Sequence, residues 1–202
     1  MDALLSISRL IDRLNEWVGR AIAWLVLVAV LISAGNAVSR KAFSLTSNAF
    51  LEIQWYLFAA VFLLAAGYTL LRQEHVKIDV VLGRFSRRTQ VKVEIAGMLL
   101  FVLPLVVVVV DLVWPLVVNA YDSGETSPNA GGLIRWPVFA LVPAGFVLLG
   151  LQAVSEAIKR IAFLLGRGPD PGAKAQHKSA EEELADEIRR KTQGGQAREA
   201  RS

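Results

Sequence analysis

Residues 91–118 read VKVEIAGMLLFVLPLVVVVVDLVWPLVV, and after Glu94 a single charge, Asp111, interrupts the apolar run. A hydrocarbon core roughly 30 Å thick is crossed by about 20 residues of helix rising about 1.5 Å each, so this stretch is long enough to span a bilayer. Three others approach or exceed that length: Trp17 to Val38, Ala49 to Leu71 and Trp136 to Ile158. Lipid offers no hydrogen-bond partner, so each span must satisfy its own backbone, which a helix does. The expected fold class is all-α integral membrane, with four transmembrane helices and an N-terminal amphipathic interfacial helix.

The rest of the composition agrees. The chain has 202 residues, 54% of them hydrophobic, with a mean hydropathy of +0.45. Its charges are excluded from the long apolar stretches instead of being spread evenly, which is membrane composition. The net charge of +4 could suggest nucleic acid, but the basic residues flank the spans, so membrane lipids are the expected partner and nucleic acid is not. With no cysteine, disulfides, thiolate metal sites and thiol catalysis are excluded.

Three segments follow along the chain. In 1–16, Leu4, Leu10, Ile11 and Leu14 fall at helical spacing with Arg9, Asp12, Arg13 and Glu16 between them, the pattern of an amphipathic helix lying in the interface. A cleaved leader competes, since Arg9, Arg13 and Arg20 precede an apolar run ending in small residues, but Asp2 makes a poor start for one. Residues 17–162 form the four-helix membrane domain. Arg72, Lys77, Arg84, Arg87, Arg88 and Lys92 crowd the middle connection, whereas only Arg135 lies in the last one; the asymmetry places the middle loop and both termini in the cytoplasm. Pro104, Pro115 and Pro143 predict kinks or freed carbonyls. In 163–202, Gly166 to Gly172 reads as a linker and the remainder as a charged cytoplasmic tail, either a docking segment or a flexible end.

Ionisable groups in or near lipid mark candidate sites. Glu52 falls in the first turn of span two, where a carboxylate favours the helix dipole; contact with a partner is the other reading. Asp111 needs a partner within the span, and Arg40 or Lys41 at the end of span one, or Asn36 or Asn119, would make a polar clamp. His75 and Asp79 share an i,i+4 face, yet two ligands are too few for a metal. In the last connection Asp122 and Glu125 could meet a basic partner surface, with Arg135 nearby. No nucleophile-base pair, metal cluster or phosphate loop assembles, so an enzyme is not expected and neither is a cofactor. A membrane anchor for a redox enzyme is the rival reading, although the four spans contain no histidine to hold haem.

Asn36-Ala-Val-Ser-Arg40, Glu52, Tyr56-Leu-Phe58, Gly67-Tyr68, Arg72 and Glu74-His75-Val-Lys-Ile-Asp79, continued by Pro104, Ser123-Gly-Glu125-Thr-Ser127, Gly131-Gly-Leu133 and Arg135-Trp-Pro137, resemble the small membrane subunit of tripartite ATP-independent periplasmic (TRAP) transporters. This is the DctQ family, in its mannitol/chloroaromatic-type branch. The resemblance implies a non-catalytic four-helix subunit in the bacterial inner membrane that scaffolds a large elevator subunit. That subunit would perform sodium-coupled uptake of an organic acid or similar solute, delivered by a periplasmic substrate-binding protein. It also implies assembly and topology roles for Arg40, Glu52, His75 and Asp79.

Overall fold

The structure, a computed structural model, describes residues 2–43, 48–73, 84–129 and 131–171. Among the described residues, four helices are long and apolar enough to cross a membrane. They are α1 (Asp2–Phe43), α2 (Asn48–Arg72), α3 (Arg87–Asp122) and α4 (Trp136–Leu164). The described residues contain no strand, only one isolated antiparallel bridge between Thr126 and Ile134. His75, Asp79 and residues 172–202 of the tail lie outside the described residues. The chain divides into residues 1–168, which hold all four helices, and a second unit of which only residues 169–171 are described.

Local chemistry sets the helix ends. Ser86 caps α3, its Oγ accepting from the Thr89 N–H at 3.4 Å, which satisfies one of the orphan donors of the first turn. Pro137 occupies the first turn of α4, where its missing N–H costs nothing. Gly166 ends that helix at φ +69°, donating to the Phe163 carbonyl while Arg167 reaches back to that of Ala162. Such a left-handed residue closes the last carbonyls, and glycine adopts it without strain.

Pro104 leaves a visible mark on the helix. Pro104 has no N–H for the carbonyl four residues earlier, and α3 widens to a π-helical turn at Met98–Val102 just ahead of it, Leu103 donating to Met98 at i−5. The extra residue in that turn redistributes the backbone bonds that a proline would otherwise break.

Packing centres on α4, which lies against α1, α2 and α3, while α1 and α2 lie along each other. Small residues permit the approach. A Cβ on Gly145 would stand 2.5 Å from the Leu63 carbonyl oxygen, and one on Gly150 3.1 Å from Val106 Cγ1. Where lipid tails are as apolar as leucine, such close backbone contact supplies the attraction between helices. Met98, Ala153 and Ala157 form a small core with Leu70, Val102 and Leu103 around it. Gly145→Leu is therefore expected to separate α2 from α4. Overpacking by about 1–3 kcal/mol would lower the melting temperature of the detergent-purified chain by about 3–10 °C, measurable by circular dichroism.

The expected interfacial helix and first span are one continuous helix of 42 residues. In its N-terminal part a polar seam faces protein, with Ser8 and Asn15 buried and Asp12 half-buried, while Leu4, Ile7, Leu10 and Leu14 are exposed together with Arg9 and Arg13. Further along, Leu10, Trp17, Trp24, Leu31 and Val38 recur every seven residues and are all more than 60% exposed. They form one apolar stripe along the outside of α1.

Candidate functional site

Glu52 is the fifth residue of α2, one residue past the first turn in which it was expected, and is 2% exposed. A carboxylate so placed must be hydrogen-bonded. The loop joining α3 to α4 supplies the donors: Ser127 Oγ–H at 2.5 Å and Asn129 Nδ2 at 2.7 Å to Oε1, and the Leu133 backbone N–H at 2.7 Å to Oε2. One turn on, Tyr56 donates its hydroxyl to the Ile134 carbonyl at 3.1 Å. Thus α2 holds the loop by two rungs of a single face.

The loop is shaped to meet them. Gly124 at φ +62° turns the chain out of α3, the Ser127 N–H donates to Leu133 O, and the Arg135 N–H donates to Glu125 O, making a narrow hairpin. Gly131 at φ +72° forms its tip with Gly132, where any Cβ would collide with Ser127. Arg135 pairs with Glu125 across the base and lies 5.0 Å over the Phe139 ring. Tyr121 and Trp136 meet edge-to-face at 5.5 Å below it. Glu125 is thus engaged within the chain, and of the two acids expected to face a partner, Asp122 remains exposed at the end of α3.

At the opposite end of the bundle a second polar group joins the start of α1 to the end of α4. Ser8 Oγ lies 2.7 Å from Ser155 Oγ, Asn15 Nδ2 donates to Gln152 Oε1 at 2.9 Å, and Ser155 and Lys159 both donate to Asp12. Glu156, 1% exposed, pairs with Lys159 and Arg160, and Arg160 donates to Glu94 of α3 at 2.6 Å. Asp12, Glu94 and Glu156 face Arg87, Lys159 and Arg160, so the charges balance. Beside them Arg72 ties α2 to Glu16 of α1 at 3.0 Å.

None of these residues was singled out from the sequence for such contacts: Arg72 and Arg87 entered as charges that set topology, Asp12 and Glu16 as the polar residues of the N-terminal helix. The signal was the spacing: Ser8, Asp12 and Asn15 share one helical face, and Gln152, Ser155, Glu156 and Lys159 share another at the end of an apolar span.

A family model described as tripartite ATP-independent periplasmic transporters, DctQ component, matches residues 29–163. The chain belongs to the DctQ family. It is thus a multi-pass membrane protein and the small permease component of a TRAP transporter. No curated protein and no solved structure matches the chain.

Within this DctQ chain the scattered residues of the resemblance converge. Glu52, Ser127 and Leu133 meet in the clamp, Tyr56 beside them, and Glu125 with Arg135 at its base. Gly67 and Tyr68 do similar work elsewhere: a Cβ on Gly67 would collide with Asn15, and Arg72 donates to the Tyr68 hydroxyl at 3.0 Å. Arg40 is exposed in the last turn of α1. Asp111 is exposed on α3 and forms no hydrogen bond or ion pair with any described residue; the expected clamp to Arg40, Lys41, Asn36 or Asn119 is not formed. Among the described residues no three His, Cys, Asp or Glu side chains are grouped to hold a metal.

Proposed function

We propose that this DctQ chain is a non-catalytic scaffold in a bacterial inner membrane, bound along α1 by the large TRAP subunit. That subunit would carry out sodium-coupled uptake of an organic acid delivered by a periplasmic binding protein. The observation that carries the reading is the stripe Leu10, Trp17, Trp24, Leu31 and Val38. Its 28-residue run is about 42 Å long, against roughly 30 Å of hydrocarbon. Lipid alone would cover it only at a tilt of about 45°, beyond the 0–40° that spanning helices show. A seven-residue apolar repeat suits a neighbouring helix instead. Apart from Asp111, the polar side chains between the helices bond one another, in the Glu52 loop contacts and in the contacts joining α1 to α4, which favours a scaffold over a solute path.

On this reading both termini are cytoplasmic, the Glu52 clamp is on the periplasmic side, and Asp122 is available to the binding protein. Nothing in the family match favours the redox-anchor alternative.

Purification in mild detergent from the native host, through a C-terminal tag, is expected to recover a very apolar, many-helix protein alongside this chain. Trp17→Ser together with Trp24→Ser is expected to cut that recovery by about tenfold while leaving the chain's own helix content unchanged, because both rings lie outside the bundle. Recovery of this chain alone, or of a soluble redox enzyme, would overturn the scaffold reading.

A further inference from the structure

Asp111 lies ten residues along α3 from Tyr121, whose ring pairs with Trp136 at the helix ends. At about 1.5 Å per residue that is about 15 Å, the middle of a bilayer core of roughly 30 Å. The carboxylate opens on a groove of about 490 Å³ between α3 and α4, walled by Val106, Val110, Trp114, Pro115 and Val147. Its own backbone carbonyl points towards Pro115, the residue whose N–H would complete the helical bond and which has none to give. Two acceptors therefore stand on one turn, at a depth where acyl chains donate nothing and headgroups are out of reach.

We infer that this groove receives a side chain with several N–H donors, an arginine or a lysine, from a transmembrane helix of the large TRAP subunit. The inference rests on the scaffold reading above but concerns a different face, α3 and α4 instead of α1. Charge and shape both select this occupant. A carboxylate in lipid is retained where a cation or donor meets it, the walls are otherwise apolar as a helix ridge requires, and a guanidinium can serve carboxylate and carbonyl together.

The test uses the full chain co-expressed with its large subunit. Asp111→Leu is expected to leave the melting temperature of the isolated chain unchanged or raised, because no described residue loses a partner. The same change should weaken the complex by about tenfold or more, with Asp111→Asn falling between. The absence of native cysteine allows a second measurement. Asp111→Cys in the detergent-solubilised chain should react with a maleimide and become protected when the large subunit is bound.

Equal affinity of the wild type and Asp111→Leu, or equal labelling with and without the large subunit, overturns the inference and leaves the scaffold reading intact. Protection of Cys at this position in the chain alone points to a second copy and also overturns it. If the wild-type chain captures no large subunit at all, the scaffold reading itself fails.

Discussion

Arg160→Met is expected to unfold the tail-bearing end of the bundle, at a cost of about 3–5 kcal/mol, the range for stranding a buried charge. Arg160 is 2% exposed and bonds Glu156 and Glu94 at once, so its removal leaves Glu156 with Lys159 as its remaining cation and Glu94 with Arg87 at 3.9 Å. Methionine fills the same space without the charge. The double change Arg160→Met with Glu156→Leu should recover more than half of the loss, because it removes the stranded carboxylate too and leaves Lys159 its bond to Asp12 at 3.0 Å. Chemical denaturation in detergent, followed by circular dichroism, reads both. Equal destabilisation by the single and double variants would show that volume, not charge, governs this site.

The second large effect falls on the opposite end. Glu52→Ala removes the acceptor of three hydrogen bonds at once, and Ser127, Asn129 and the Leu133 N–H lose their shared partner. The loop should then detach from α2, retaining its own hairpin bonds and the Glu125–Arg135 pair. Protease cleavage between Thr126 and Leu133 is expected to accelerate by about tenfold or more, since cleavage follows the population of the open loop. Glu52→Gln should give an intermediate rate: its carbonyl oxygen still accepts, but its NH₂ confronts donors. If the loop is the periplasmic docking surface, uptake by the whole transporter should fall in the same order. Unchanged proteolysis in Glu52→Ala would mean that Tyr56 and the hairpin alone hold the loop.

Hydropathy made the four helices legible because an apolar run of bilayer length has few other uses. The helix α2 begins and ends within one residue of the apolar stretch Ala49 to Leu71, and α4 runs six residues past Ile158 to Leu164. The N-terminal part of α1 was legible as an amphipathic helix, though not which side would face protein. The same spacing of Leu4, Leu10 and Leu14 serves a lipid surface or a bundle exterior equally, and the deciding residues, Ser155 and Gln152, lie some 140 positions away. Glu52 stood out as a charge near a helix start, but capping and loop-holding ask for the same residue at nearly the same position. Only the return of residues 123–135 over α2 separates them. Asp111 was equally visible; its missing partner was not, because proximity of helix ends in sequence does not bring α1 to that face of α3.

The polar contacts between the start of α1 and the end of α4 also set an order of events during synthesis. Ser8 and Ser155 are 147 residues apart, and at about 5–20 residues per second the ribosome takes about 7–30 s to travel that distance. For most of that interval α1, which ends at Phe43, is complete while the residues that satisfy Ser8, Asp12 and Asn15 do not yet exist. The α1–α2 hairpin, tied by Glu16 to Arg72 and by Tyr68 against Gly19, needs only the first 72 residues and can close meanwhile. The nascent chain is therefore a half-closed hairpin with a bare polar seam, a ready target for quality-control proteases, until its last helix arrives to seal it.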